Sequence, residues 1–186
     1  MRLFAVAATL VFLAALVFVA PALADDAPIG SQSNPISFSG TGIGVAQTVD
    51  HTDAEPWKGY ATFYVYNSSN VAWGDFHVQL VSIGQSVENV DFVTGGIYNP
   101  TSSQGAMTVN INNAPATGAT MDLYYANHVN PGQLAWFTVY TDNTADHVNF
   151  GLMFWPTPAA VPEPSSILVV SSGLLGLAGL ARRRRR

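Results

Sequence analysis

Between residues 36 and 155 the chain runs in short stretches that alternate apolar and polar side chains, the two-residue period of a half-buried strand. Met107-Thr108-Val109-Asn110-Ile111-Asn112 is the cleanest, with Met, Val and Ile on one side and Thr and two Asn on the other. Phe76, Val78 and Leu80 alternate with Asp75, His77 and Gln79 in the same way, and further runs cover 36–45, 59–66, 89–94, 120–126, 133–141 and 148–155. Gly, Asn and Pro clusters separate them: Asn67-Ser68-Ser69-Asn70, Gly95-Gly96, Asn130-Pro131-Gly132 and Asp142-Asn143. No stretch between Pro28 and Pro158 shows a helical apolar period. The pattern predicts an all-β domain, an antiparallel β-sandwich or jelly-roll-like fold of about eight strands. Phe63, Phe76, Phe137 and Phe150 are the expected inward aromatics. Tyr60, Tyr64 and Tyr66 take the other parity of their strand, where they either stack on sugar rings or pack under loops.

The ends follow a different pattern. From Leu3 to Ala20 only Thr9 is polar, Met1-Arg2 precede and Pro21 follows, and Ala22 and Ala24 supply the small residues that signal peptidase accepts. Residues 1–24 therefore read as a secretory signal helix cleaved after Ala24, with an uncleaved membrane anchor as the competing reading. At the other end, Ile167 to Ala181 is apolar but for two Ser and precedes Arg182, Arg183, Arg184, Arg185 and Arg186. A helix over this stretch, extended through Ser165, rises about 25 Å, slightly short of a bilayer core. A basic tail can also bind nucleic acid or anionic lipid, but directly behind an apolar helix it reads as a cytoplasmic stop-transfer signal. The expected division is 1–24 signal peptide, 25–157 extracytoplasmic β domain and 158–186 sorting segment, with the four prolines from Trp155 to Pro164 forming a stiff spacer.

Pro162-Glu163-Pro164, a short Gly- and Leu-rich apolar segment containing Gly173, Gly176 and Gly179, and a terminal Arg cluster together resemble the PEP-CTERM protein-sorting signal. The resemblance covers about the last 25 residues. It implies a Gram-negative host and recognition by exosortase, an integral-membrane peptidase that cuts near Pro162, Glu163 and Pro164 and passes the protein to the surface. Those three residues are then substrate positions. The family sorts very diverse domains, so the resemblance implies a destination and leaves the activity open.

Net charge is −5, but between Asp25 and Ala160 a lone Lys58 faces eleven acidic residues, a local net of −10. That argues against a nucleic-acid partner, which needs clustered Lys and Arg. Without Cys there are no disulfides, thiolate metal sites or thiol chemistry. Gly40-Thr-Gly-Ile-Gly44 has its third Gly too early for a dinucleotide loop, and Gly84-Gln-Ser-Val-Glu88 lacks the second Gly of a nucleophile elbow. His51, His77, His128 and His147 are isolated in sequence. Asp50, Asp53 and Glu55 form the one metal candidate, an acidic segment able to bend round Ca²⁺ or simply a solvated connection. Asn67-Ser68-Ser69 fits a glycosylation sequon or a plain turn.

These features set the expected function. The chain is read as an exported, exosortase-sorted surface or matrix protein whose non-catalytic β domain binds exopolysaccharide or neighbouring proteins, with no cofactor. The alternatives are a Ca²⁺-dependent adhesion module and a small glycan hydrolase pairing Asp75 with Glu88 or Asp91.

Overall fold

The computed structural model describes residues 24–25, 27–113 and 118–160. The predicted signal segment up to Leu23, with Ala22, lies outside them. So do Pro162, Glu163, Pro164, the apolar C-terminal segment and Arg182 to Arg186. Among the described residues no helix is long and apolar enough to cross a membrane, and the only helical pieces are two three-residue 3-10 turns, Ile43–Val45 and Gly96–Tyr98.

Among the described residues, eleven strands form two sheets. The first contains β1 (Ala24–Asp25), β2 (Ile36–Phe38), β4 (Lys58–Asn67), β6 (Asp91–Phe92), β7 (Thr101–Ser102) and β10 (Leu134–Asp142). The second runs in the order β3 (Gln47–His51), β11 (Phe150–Pro158), β5 (Trp73–Val81), β9 (Thr120–Val129), β8 (Met107–Asn112). All pairs of the second sheet are antiparallel. The first sheet departs from the expected antiparallel arrangement, because β1 and β2 run parallel to β4 along one edge.

Alternation decides which side chains enter the core. Along β4, Gly59, Ala61, Phe63, Val65 and Asn67 are buried, while Lys58, Tyr60, Thr62, Tyr64 and Tyr66 are turned outward. Phe63, Phe76, Phe137 and Phe150 are all fully buried, as the parity of their runs predicts. The sheets meet through these rings: Phe76 stacks on Phe137 at 4.6 Å and Phe63 lies 4.6 Å from Phe154. Phe38 of β2 packs edge-on against Trp73 and Phe154. Burying a Phe side chain contributes about 1.5–3 kcal/mol, so this aromatic layer is a main stabilising feature of a domain without disulfides.

Three expectations about the chain's course change. The segment at 36–45 is a strand only to Phe38. The acidic segment is not all loop, since Asp50 and His51 belong to β3. Trp155 to Pro158 are no spacer: they complete β11, in register with His77 to Trp73 of β5. Pro156 is tolerated because β3 pairs β11 only as far as Phe154. Its carbonyl accepts a hydrogen bond from Gly42 N at 2.7 Å, so the side lacking an N–H is the side that β3 has already left.

Candidate functional site

The strand directions sort the loops into two groups. Loops 39–46, 68–72, 103–106 and 130–133 lie at the end where β11 finishes; loops 52–57, 82–90 and 143–149 lie at the other. Most of the acidic residues collect at that second end. There Glu88, Asn89, Asp91, Asn113, Asp142, Thr144 and Ala145 line a cleft of about 380 Å³. Asp91 and Asp142 are partners across the β6–β10 pair. Burial, reinforced by the nearby Asp142 charge, raises the Asp91 carboxyl above its ordinary value. Burial works the same way on Asp142 but is outweighed by hydrogen bonds from Lys58 and Thr144, which hold it below the usual carboxylate range. Lys58 Nζ lies 2.7 Å from Asp142 Oδ2, and Thr144 donates to Asp142 Oδ1 from both N and Oγ1. Asp142 is thus held by three donors, whereas Asp91 is the more easily protonated member of the cleft.

Behind the cleft the predicted calcium ligands separate. Asp53 is turned inward and buried: its Oδ1 accepts from Thr141 Oγ1 at 2.7 Å and sits 3.1 Å from His51 Nε2. Asp50 and Glu55 are exposed, and Asp50 lies on the opposite face of β3 from His51. The pleat is the reason, because neighbouring strand residues point to opposite faces. Asp50, Asp53 and Glu55 therefore do not form a calcium loop, and among the described residues no group of three His, Cys, Asp or Glu could hold a metal ion. Beside this pair, Trp57 and His147 stack at 4.6 Å, and both have positive φ (66° and 51°), a conformation that non-glycine residues seldom take.

His77 is not isolated in space. On the outer face of the second sheet its Nδ1 lies 2.6 Å from Asp122 Oδ1 and its Nε2 3.5 Å from Asp75 Oδ1, with the ring stacked on Trp155. Burial pulls its pKa down, but hydrogen bonding to Asp75 and Asp122 prevails and raises it. Asp75 thus lies beside His77 on this face, and the pairing of Asp75 with Glu88 or Asp91 is not made, since those two lie at the acidic end.

The tyrosines of β4 divide. Tyr60 donates to Ile97 O at 2.7 Å and packs on Tyr140, under the 95–98 turn. Burial and the neighbouring Tyr98 and Tyr60 push Tyr140 up to about 12, so it stays neutral. Tyr64 and Tyr66 instead stand opposite Trp136 and Leu134 of β10, all four half-buried on the outer face of the first sheet. Trp136 was not singled out in the sequence. Its outward parity between Ala135 and Phe137 was visible there, but its cross-strand partner was not. Asn67 is no glycan acceptor in this fold: its Nδ2 donates to Val71 O and Val129 O, and its Oδ1 accepts from Ser69 N and Oγ.

Residues 160–186 match the family model of the PEP-CTERM protein-sorting motif, and the β domain matches no family model. The chain matches no curated protein and no solved structure. The motif supports an exported protein that exosortase processes, anchored in the membrane and then sorted to the surface.

Proposed function

We propose that the β domain is a non-catalytic binding module, displayed at the cell surface by the sorting motif, and that it takes extracellular polysaccharide on the outer face of its first sheet. The observation that carries this reading is the patch formed by Tyr64, Tyr66, Trp136 and Leu134, two cross-strand pairs in register on one face of the sheet. Aromatic faces stack on the apolar faces of sugar rings, and adjacent β-strand pairs hold them at a fixed spacing. Binding of the full chain to polysaccharide purified from the host should be lost in Trp136→Ala and reduced in Tyr64→Ala, both folded by circular dichroism. Unchanged binding in Trp136→Ala would remove the face from consideration.

A hydrolytic reading has one specific observation behind it, the cleft in which Asp91 is raised and Asp142 lowered, the opposed tuning of an acid and a base. Release of reducing ends from the same polysaccharide, abolished by Asp91→Asn, would favour it. The three hydrogen bonds held by Asp142 speak for a structural carboxylate instead.

A further inference from the structure

The end of the sandwich where β11 finishes is set apart by the composition of its loops. None of its four loops (39–46, 68–72, 103–106 and 130–133) contains Asp, Glu, Lys or Arg. Two exposed large apolar residues stand there, Ile43 at 65% and Val71 at 38%. They flank the chain exit. Gly42, next to Ile43, bonds to Pro156 on one side of β11, and Ala72, next to Val71, accepts from Ala159 N on the other. Gly74 lets Ala159 lie against β5, because a Cβ there would come within 2.7 Å of the Ala159 Cα.

The length of chain beyond this point limits where the end can go. Ala159 is tied to Ala72, and Pro162 is three residues further on, within about 11 Å even if fully extended. The apolar segment begins at Ile167, eight residues from Ala159 and at most about 28 Å away. A nine-residue strand is itself about 30 Å long, so a tether of this length disfavours the inverted orientation, in which the exit end would stand a full domain length from the bilayer. Charge favours the same orientation. An anionic headgroup surface repels the carboxylates gathered at the opposite end, and the end by the exit offers none in its loops.

We infer that, in the anchored form, this uncharged end rests on the membrane interface, with Ile43 and Val71 inserted at the boundary of headgroups and acyl chains. The inference depends on the anchored intermediate of the sorting motif. It goes beyond that reading by giving the domain a fixed orientation, with the acidic cleft facing away from the bilayer. Burial of isolated aliphatic side chains at an interface is a modest attraction on its own, but the covalent tether converts it into an intramolecular contact.

The absence of Cys makes the test clean. Residues 25–186, carrying a single cysteine as Ile43→Cys, Val71→Cys or Thr144→Cys, are labelled with an environment-sensitive fluorophore. They are then reconstituted in phosphatidylethanolamine–phosphatidylglycerol vesicles without any peptidase. The chain should float with the vesicles. Labels at 43 and 71 should shift to the blue, be quenched by lipid-borne quenchers and lose accessibility to aqueous iodide, while the label at 144 stays accessible. A chain that floats with positions 43 and 71 as accessible as 144 overturns the inference and leaves the anchor intact. A chain that does not float overturns the anchored form itself, and the inference with it. Protection of 43 and 71 only after peptidase is added would assign this end to a protein contact and equally overturn it.

Discussion

At the end where the chain leaves the sandwich, the loops are short and uncharged, and the buried amides of Asn67 and Gln104 lie among them. At the opposite end stand Asp53, Glu55, Lys58, Glu88, Asp91, Asp142 and Asp146, together with the left-handed Trp57 and His147. The same strands supply both ends. They differ because antiparallel strands send alternate connections to alternate ends, so acidic residues scattered from 50 to 146 are gathered by topology. Charge segregation invisible in the linear order thus becomes a property of the molecule. One end is fit to approach a surface and the other to face solvent.

Five experiments sharpen or break this contrast, from the largest effect down. Asn67→Ala should cost roughly 1–3 kcal/mol, because it strands the Val129 carbonyl and the Ser69 N–H in a buried turn, while Val71 O keeps the Ser69 hydroxyl. Urea denaturation measures it, and a loss under 1 kcal/mol would mean that the exit end is not held this way. At the acidic end, Lys58→Met should cost only about 0.2–1 kcal/mol, since the Lys58–Asp142 pair is partly exposed and screened. The sign with pH follows from the lowered Asp142 carboxyl. Its stabilisation is present above the unfolded value near 3.8 and fades as pH falls through the folded value, so the difference between wild type and Lys58→Met should shrink in acid.

A smaller effect belongs to the face between the two ends. The raised His77 pKa means that its stabilisation by Asp75 and Asp122 is fully present below about 6.5 and is lost as pH rises through the folded value. The melting temperature of the wild type relative to His77→Gln should therefore decline between pH 6 and 8, and a constant gap would dismiss the charged cluster. The smallest change in stability is expected for Ile43→Asp, within about 0.5 kcal/mol, because the side chain is 65% exposed and packs on little. Added Ca²⁺ should likewise leave the melting temperature of the wild type unmoved, since Asp50, Asp53 and Glu55 are held apart.

Much of the fold could be read before the structure. The alternation at 107–112 and 76–80 became strands with the predicted inward residues, because a period-two pattern has only one way to bury its apolar half. Less of the candidate site could be read. Asp50, Asp53 and Glu55 looked like one loop because they are neighbours in sequence, yet the pleat of β3 turns Asp50 out, while Asp53, past the end of the strand, is buried against Thr141 and His51. His77 looked isolated because its partner Asp122 is 45 residues away, brought beside it by the β5–β9 register. Trp155 to Pro158 looked like a spacer because proline usually ends strands, and the early departure of β3 removed the objection.

By itself the sequence determined the all-β class, the parity of the core residues and the sorting motif, because each is encoded within a few consecutive residues, by periodicity or by a local motif that residues 160–186 match. Tertiary structure alone decided which strands pair. With that it decided the Tyr64–Trp136 face, the Asp91–Asp142 cleft and the uncharged exit end. The physical reason is that side chains far apart in sequence meet only through strand order and register, and these depend on how the whole set of apolar faces closes over one aromatic core.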